Sequence, residues 1–416
     1  MDAIRIYGGN CLDGQIAIQG SKNASLPILA ATLLINGICE IENCPDISDV
    51  YHMQRLLESL GCKVEREDTL VRVDTQGLSE CDMPSDSVCV MRSSVMLVGV
   101  LLARIGRVCM EYPGGCVIGA RPIDLHLRSL RRMGVVIEER EKGFCAEATK
   151  LRGTALELPF VSVGVTENLI LAAVLAEGTT VIEPAAREPE IQALCEFLKL
   201  AGARIEGIGT DRLIIHGVER LMPVRYRVPS DRIVAGTYLC ACMCAGGSIY
   251  LKDAPISHME SVLTYAEKMG AGISYESDGI LVSGKDHESI CHAVTTGCYP
   301  GFPTDMQSPV MVVMAVSGQA GRIEETVFEN RFRIVPELCR MGADITVHGN
   351  VAYIDGRSRL HGAIVQAQEL RGGAALVIAA LAAEGTSIVT NRHYIDRGYE
   401  DIVLNLRALG ADVELA

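Results

Sequence analysis

Apolar and polar positions fall into two kinds of helical segment, and the two kinds alternate along the chain. In the first kind nearly every position is apolar: LPILAATLLING, VMLVGVLLARIG, NLILAAVLAEG, GTYLCACMCAGG, VMVVMAVSGQAG and AALVIAALAAEG, each ending at a glycine. A helix that is apolar all round has to be buried all round. The second kind keeps a charged face and also ends at a glycine: LLESLGCKV, LRRMGVVI, LKLAGARI, AEKMGAGI, LCRMGADI and LRALGADV. Glycine after the last helical turn followed by a strand-forming run predicts a C-terminal cap and then a strand.

The glycines of the second set, Gly61, Gly134, Gly202, Gly270, Gly342 and Gly410, lie 68 to 73 residues apart. Such regular recurrence is the mark of a structural repeat. Each unit reads as buried helix, strand, amphipathic helix and further strands, which makes the chain an α/β protein of six units. One core of 416 residues would exceed the usual domain size, so the units divide into two domains of three. The expected boundaries are 22–229 for one domain and 1–21 plus 230–416 for the other.

Composition narrows the function. The net charge is -14, Trp is absent and aromatics are 4%, which argues against nucleic acid or an anionic membrane surface as partner. The N-terminus MDAIRIYGGN lacks a basic segment followed by an apolar core, and no run of 18 apolar residues occurs, so the chain reads as soluble and cytoplasmic. Its 16 cysteines stand mostly among apolar neighbours, and most of them read as reduced core residues. Cys240, Cys242 and Cys244 would splay around a helix axis, which does not suit a metal site.

The polar residues that open the helices carry the candidate chemistry. The buried helices begin beside Lys22 and Asn23, Arg92, Ser162 to Thr166, Asp231, Asp305 and Arg371, and three amphipathic helices begin beside Arg121, Arg331 and Arg397. Helix N-termini favour anions, and forked arginine donors suit carboxylate and phosphate. Brought into one cleft between the two domains, these groups would hold a small, highly charged ligand. Asp305 is the acid among them, either a helix N-cap or a base that takes a proton from a hydroxyl. In PGGCVIGARPIDLH (113–126), Gly114 and Gly115 leave Cys116 in a loop, while Pro122 suits the first turn of the next helix. Arg121 and that helix N-terminus would lower the thiol pKa and favour nucleophilic or acid–base use.

KNASLPIL (22–29), PGGCVIGARPIDLH, VSVG (161–164), LAEGTT (175–180), AAREPEI (185–191), GFPTDMQ (301–307), FENRF (328–332) and IDRGYE (395–400) together resemble the UDP-N-acetylglucosamine 1-carboxyvinyltransferases, collinearly over essentially the whole chain. The cysteine loop separates this family from the 3-phosphoshikimate carboxyvinyltransferases, which share the fold. The resemblance implies a two-domain inside-out α/β barrel, EPSP synthase/MurA-like, with residues 1–21 joining the C-terminal half. It implies transfer of the enolpyruvyl group of phosphoenolpyruvate to the 3'-hydroxyl of UDP-N-acetylglucosamine, opening peptidoglycan synthesis, without metal or organic cofactor.

By the same resemblance, Lys22, Arg121 and Arg397 grip the phosphate of phosphoenolpyruvate, Arg331 and Arg371 face its carboxylate, and Asn23 touches both substrates. Asn23, Arg92, Arg121, Pro122, Ile123, Asp124, Leu125, Ser162, Val163, Gly164, Asp305 and Val327 line the nucleotide sugar. Cys116, Asp305, Lys22 and Arg397 form the catalytic set, and fosfomycin is expected to alkylate Cys116. Four positions depart from the family pattern: Ser230 for proline, Val234 for an acid, Glu369 for aspartate and Gly372 for alanine. Competing readings are another acceptor such as 3-phosphoshikimate, or a weakly active regulatory copy that binds UDP-sugar. The sequence leaves the oligomeric state open.

Overall fold

A computed structural model describes residues 2–84, 88, 91–114, 123–284, 292–357 and 359–416. They form two compact units. One holds the chain from Gly20 to Pro229, the other the stretch up to Gln19 and the stretch from Ser230 on. Each has its own continuous apolar core.

The first repeat shows the plan. Its buried helix Lys22–Thr32 leads to a strand, Ile38–Glu42, then to the amphipathic helix Ser48–Ser59 and a hairpin, Lys63–Glu67 with Leu70–Asp74. The hairpin strands pair antiparallel and add to the first strand. A short fourth strand, Arg225–Arg227, pairs parallel to it on the other side. Six such sheets occur among the described residues, five of four strands and one of three. In the second repeat, a single parallel bridge, Asp82 to Cys109, stands where the fourth strand would run.

The last repeat is completed by the N-terminal segment. Ala3–Tyr7 lies between Thr386–Thr390 and Asp412–Leu415 and pairs antiparallel with both, while Leu12–Ala17 pairs parallel with Gly247–Lys252 in the fourth repeat. Alternation sets the sheet's faces: Ile4 and Ile6 are buried while Tyr7 is exposed.

The helices Arg232–Ala245, Gln307–Ala315 and Leu370–Ala382 pack on one another in pairs at the centre of their unit. In the other unit Leu97–Arg104 packs on Val163–Ala173, and Lys22–Thr32 packs chiefly on Ser48–Ser59 and Pro189–Leu200. Apolar helices fill each centre and the half-exposed sheets lie outside, the mixed α/β arrangement that the repeat pattern predicts.

All six amphipathic helices end alike. Gly61, Gly134, Gly202, Gly270, Gly342 and Gly410 have φ between 82° and 105°. Each glycine N–H donates to the carbonyl three residues back, and the next N–H to the carbonyl five back, as from Gly61 to Glu58 and from Cys62 to Leu57. This is the Schellman cap, closed by an apolar contact such as Val135 over Leu130. The glycines after the buried helices, Gly37, Gly106, Gly178, Gly246 and Gly385, share the positive φ without that hydrogen-bond pattern, and the sixth needs a correction. Gly321 opens the strand Gly321–Glu324, and the left-handed residue in that connection is Gly318, with φ 84°.

Among the described residues most cysteines are free, as expected, with one bridged pair. Cys109 and Cys145 face each other across antiparallel strands and form a disulfide. Strand register, which the cysteine spacing alone does not reveal, puts them opposite. Cys39, Cys44, Cys62, Cys195, Cys240 and Cys242 are free and buried. Burial pushes the Cys62 thiol up to about 11 and the Cys195 thiol up to about 12, which keeps both protonated.

Candidate active site

In the unit that runs from Ser230, Pro303 leads into a short 3-10 turn, Thr304–Met306, before the buried helix Gln307–Ala315. Asp305 sits on that turn and does not cap the helix. Its Oδ1 accepts from Arg331 Nη2 at 2.5 Å, and its Oδ2 accepts from both Nε and Nη2 of Arg371 at 3.2 Å. The carboxylate side chain is 27% exposed while the two arginine side chains are 3% and 2% exposed. The arrangement is a partly open carboxylate over two buried forked cations, the geometry in which charge-assisted hydrogen bonds are strong.

Glu369, the N-cap of Leu370–Ala382, accepts from the backbone N–H groups of Arg371 and Gly372, and its carboxylate lies 3.7 Å from Arg331 Nη1. A Cβ on Gly372 would come within 2.6 Å of Glu369 Oε1, so the longer acid and the missing methyl fit together. Arg371 donates to the Tyr399 hydroxyl at 3.3 Å, and that oxygen lies 2.8 Å from Thr237 Oγ1. Burial by itself would weaken the Arg371 charge, but facing Tyr399, Asp305 and Asp231 hold its pKa above the ordinary arginine value.

Arg331 opens the 3-10 turn Arg331–Ile334 and Arg397 ends another, Arg392–Arg397. The turn with Arg331 runs straight into its amphipathic helix, while a short connection separates Arg397 from Ile402–Ala408. Arg397 is half-buried. Val327 is placed by Glu325, a buried acid that accepts from the N–H groups of Val327 and Phe328 and from the Thr304 hydroxyl. Asp231 is a structural cap, accepting from Ile233 and Val234 N–H.

In the other unit, Ser21 caps the helix that Lys22 and Asn23 open, and Lys22 Nζ lies 2.8 Å from Asp49 Oδ2. Arg92 opens a 3-10 turn, Arg92–Met96, ahead of Leu97–Arg104. Ser162 caps Val163–Ala173, with Val163 exposed and Gly164 against the His126 ring. Ile123 is buried and precedes Asp124–Arg132, whose first residues are Asp124 and Leu125. His126 is held by Asn168, whose amide nitrogen lies 3.1 Å from His126 Nδ1 while its oxygen accepts from Gly99 N–H. Cys116, Arg121 and Pro122 lie outside the described residues.

The structure thus gathers Asp305, Arg331 and Arg371 in one unit, and keeps Lys22 with Asn23 at one helix start in the other. Asp49, Thr237 and Tyr399 escape the sequence reading because each acts on a partner well separated along the chain, and Glu325 escapes it although two of its donors, the N–H groups of Val327 and Phe328, are local. Only Asp49 carries a local hint, an acid in the first turn of an otherwise amphipathic helix whose side chain is buried.

A family model described as EPSP synthase (3-phosphoshikimate 1-carboxyvinyltransferase) matches residues 6–406. The chain is 43% identical over 413 residues to UDP-N-acetylglucosamine 1-carboxyvinyltransferase 2 of Caldanaerobacter subterraneus, covering 99% of both proteins. The chain belongs to the UDP-N-acetylglucosamine 1-carboxyvinyltransferase family. A second member, from Granulibacter bethesdensis, is 46% identical over 420 residues, covering 100% of this chain and 99% of that protein. Among solved structures, the enolpyruvyl transferase NikO from Streptomyces tendae superposes with TM-score 0.90 at 24% identity, covering 99% and 98% of the two chains. EPSP synthase from Acinetobacter baumannii superposes with TM-score 0.77 at 18% identity over the whole of both chains. These two likenesses fix the fold, and the family membership makes the chain a transferase. No helix of the described residues is long and apolar enough to cross a membrane.

Proposed function

We propose that the chain transfers the enolpyruvyl group of phosphoenolpyruvate to the 3'-hydroxyl of UDP-N-acetylglucosamine in the cytoplasm, releasing phosphate and opening peptidoglycan synthesis. The observation that carries the reading is the carboxylate of Asp305 held open over Arg331 and Arg371. In the addition step, Asp305 accepts the hydroxyl proton as the sugar oxygen bonds to C2, and Cys116 delivers a proton to C3. In the elimination step, C3 loses a proton and the C2–O bond to phosphate breaks, leaving the new double bond. Lys22, Arg121 and Arg397 stabilise the leaving phosphate. Arg331 and Arg371 draw the substrate carboxylate beside Asp305. Asn23, Arg92, Ile123 to Leu125, Ser162 to Gly164 and Val327 hold the nucleotide sugar, and fosfomycin alkylates Cys116.

The experiment measures phosphate release from phosphoenolpyruvate with UDP-N-acetylglucosamine and, separately, with 3-phosphoshikimate, for wild type and Asp305→Ala. Release with the nucleotide sugar alone, lowered roughly 100-fold or more in the variant, is expected of a lost general base. Release with 3-phosphoshikimate alone would overturn the acceptor, and nucleotide binding without release would make the chain a sensor.

A further inference from the structure

Gln19 is the last residue of its unit before the chain passes into the other, and the chain returns at Ser230. Its backbone carbonyl accepts from Asp231 N–H at 2.8 Å, which ties the outgoing segment to the N-cap of the helix after the return. Its side chain is buried, 8% exposed, and faces inward. The amide nitrogen donates to the carbonyl of Gly398 at 3.2 Å, and the amide oxygen accepts from the N–H of Glu400 at 3.0 Å. One side chain therefore clamps both sides of Tyr399, two residues after Arg397.

The rest of that loop is built to hold one position. Gly398 and Tyr399 N–H both donate to the Ile395 carbonyl. A Cβ on Gly398 would come within 2.8 Å of Leu370 Cδ2, so the loop lies against the first residue of the helix that carries Arg371 and a larger residue would have to push that side chain aside. The Tyr399 hydroxyl meets Arg371 and Thr237. The backbone groups at Gly398 and Glu400 depend on the Gln19 amide, and losing a buried partner is costly.

We infer that Gln19 is a positioning residue that sets Arg397 and links its placement to the point where the chain crosses between units. This rests on the reading of Arg397 as a phosphate ligand. A movement of the crossing segment shifts the Gln19 amide, and with it the Gly398 carbonyl just after Arg397. Gln19 itself touches no substrate.

The test is a double-mutant cycle on the full-length protein, following phosphate release with phosphoenolpyruvate and UDP-N-acetylglucosamine. Gln19→Ala should lower kcat about tenfold while KM for the nucleotide sugar stays within twofold. In an Arg397→Ala background the same change should have almost no further effect, because a residue that acts through Arg397 has nothing left to place. Gln19→Glu, which keeps the acceptor for Glu400 N–H and loses the donor to Gly398, should fall between and guards against misfolding of the alanine variant. Full activity in both Gln19 variants, or equal losses with and without Arg397, would overturn the coupling. If wild type turns over while Arg397→Ala keeps full activity, the phosphate-ligand reading is wrong, and the coupling falls with it.

Discussion

Replacing Asp305 with alanine would leave Arg331 and Arg371 buried beside each other with Glu369 as the carboxylate still near Arg331. Removing one partner of such a cluster costs about 3 kcal/mol, so Asp305→Ala should melt lower as well as lose activity, whereas Asp305→Asn should recover part of the melting temperature and none of the rate. Thermal unfolding of both variants beside the phosphate assay checks this. Asp49→Ala, which strips the acid from partly buried Lys22, should destabilise by a similar amount, about 3 kcal/mol. Native alkylation followed by peptide mapping should label exposed Cys11, Cys298 and Cys339, and should leave Cys195 untouched until the chain unfolds. Lys22, Asp305 and Arg371 were legible as polar residues at the mouths of apolar helices, and Arg331 as one beside the start of an amphipathic helix. Their partners were not: nothing around Tyr399 or Thr237 announces a contact, since burial of a polar group is decided by segments distant in sequence.

The six Schellman caps were legible for the opposite reason. Helix end, glycine and following apolar residue are all local, so the motif is written within one turn. Gly202 has φ 105° and open space around the position of a Cβ, so Gly202→Ala isolates backbone strain from crowding. It should cost about 1 kcal/mol, a drop of roughly 2–4 °C in Tm for a unit of this size, measured by calorimetry. The 3-10 openings at Arg92–Met96 and Thr304–Met306 could not be read, because they differ from a helical turn only in which carbonyl each N–H finds. The three-residue parallel strands, such as Ala155–Glu157, are too short to show a period. The Cys109–Cys145 pairing follows from register, which the spacing of cysteines does not encode.

At the scale of the whole chain, repetition every 70 or so residues made the α/β class and the six units plain, while pairing across the ends was beyond any local pattern. Ala416 N–H donates to the Ala3 carbonyl at 3.0 Å, so both ends meet in one sheet. A circular permutant that joins residue 416 to residue 2 through a short linker, opened at the exposed turn between Glu141 and Lys142, should keep the wild-type circular dichroism and most of its melting temperature. Deleting residues 2–8 instead should abolish cooperative melting of the unit that contains Ser230.

The strand Ala3–Tyr7 is synthesised before every other described strand and is among the last to be paired, since Ile4 lies opposite Val389 and Leu415. At ordinary elongation rates it waits roughly 20–80 s for them. During that interval Ile4 and Ile6 stand open on an unpaired strand, an invitation to pairing with another nascent chain. The unit from Gly20 to Pro229 needs nothing from the far end and can close while the ribosome is still moving. Order of manufacture and order of assembly therefore run in opposite directions for Ala3–Tyr7, which stays unpaired until the strands from Thr386 onward emerge.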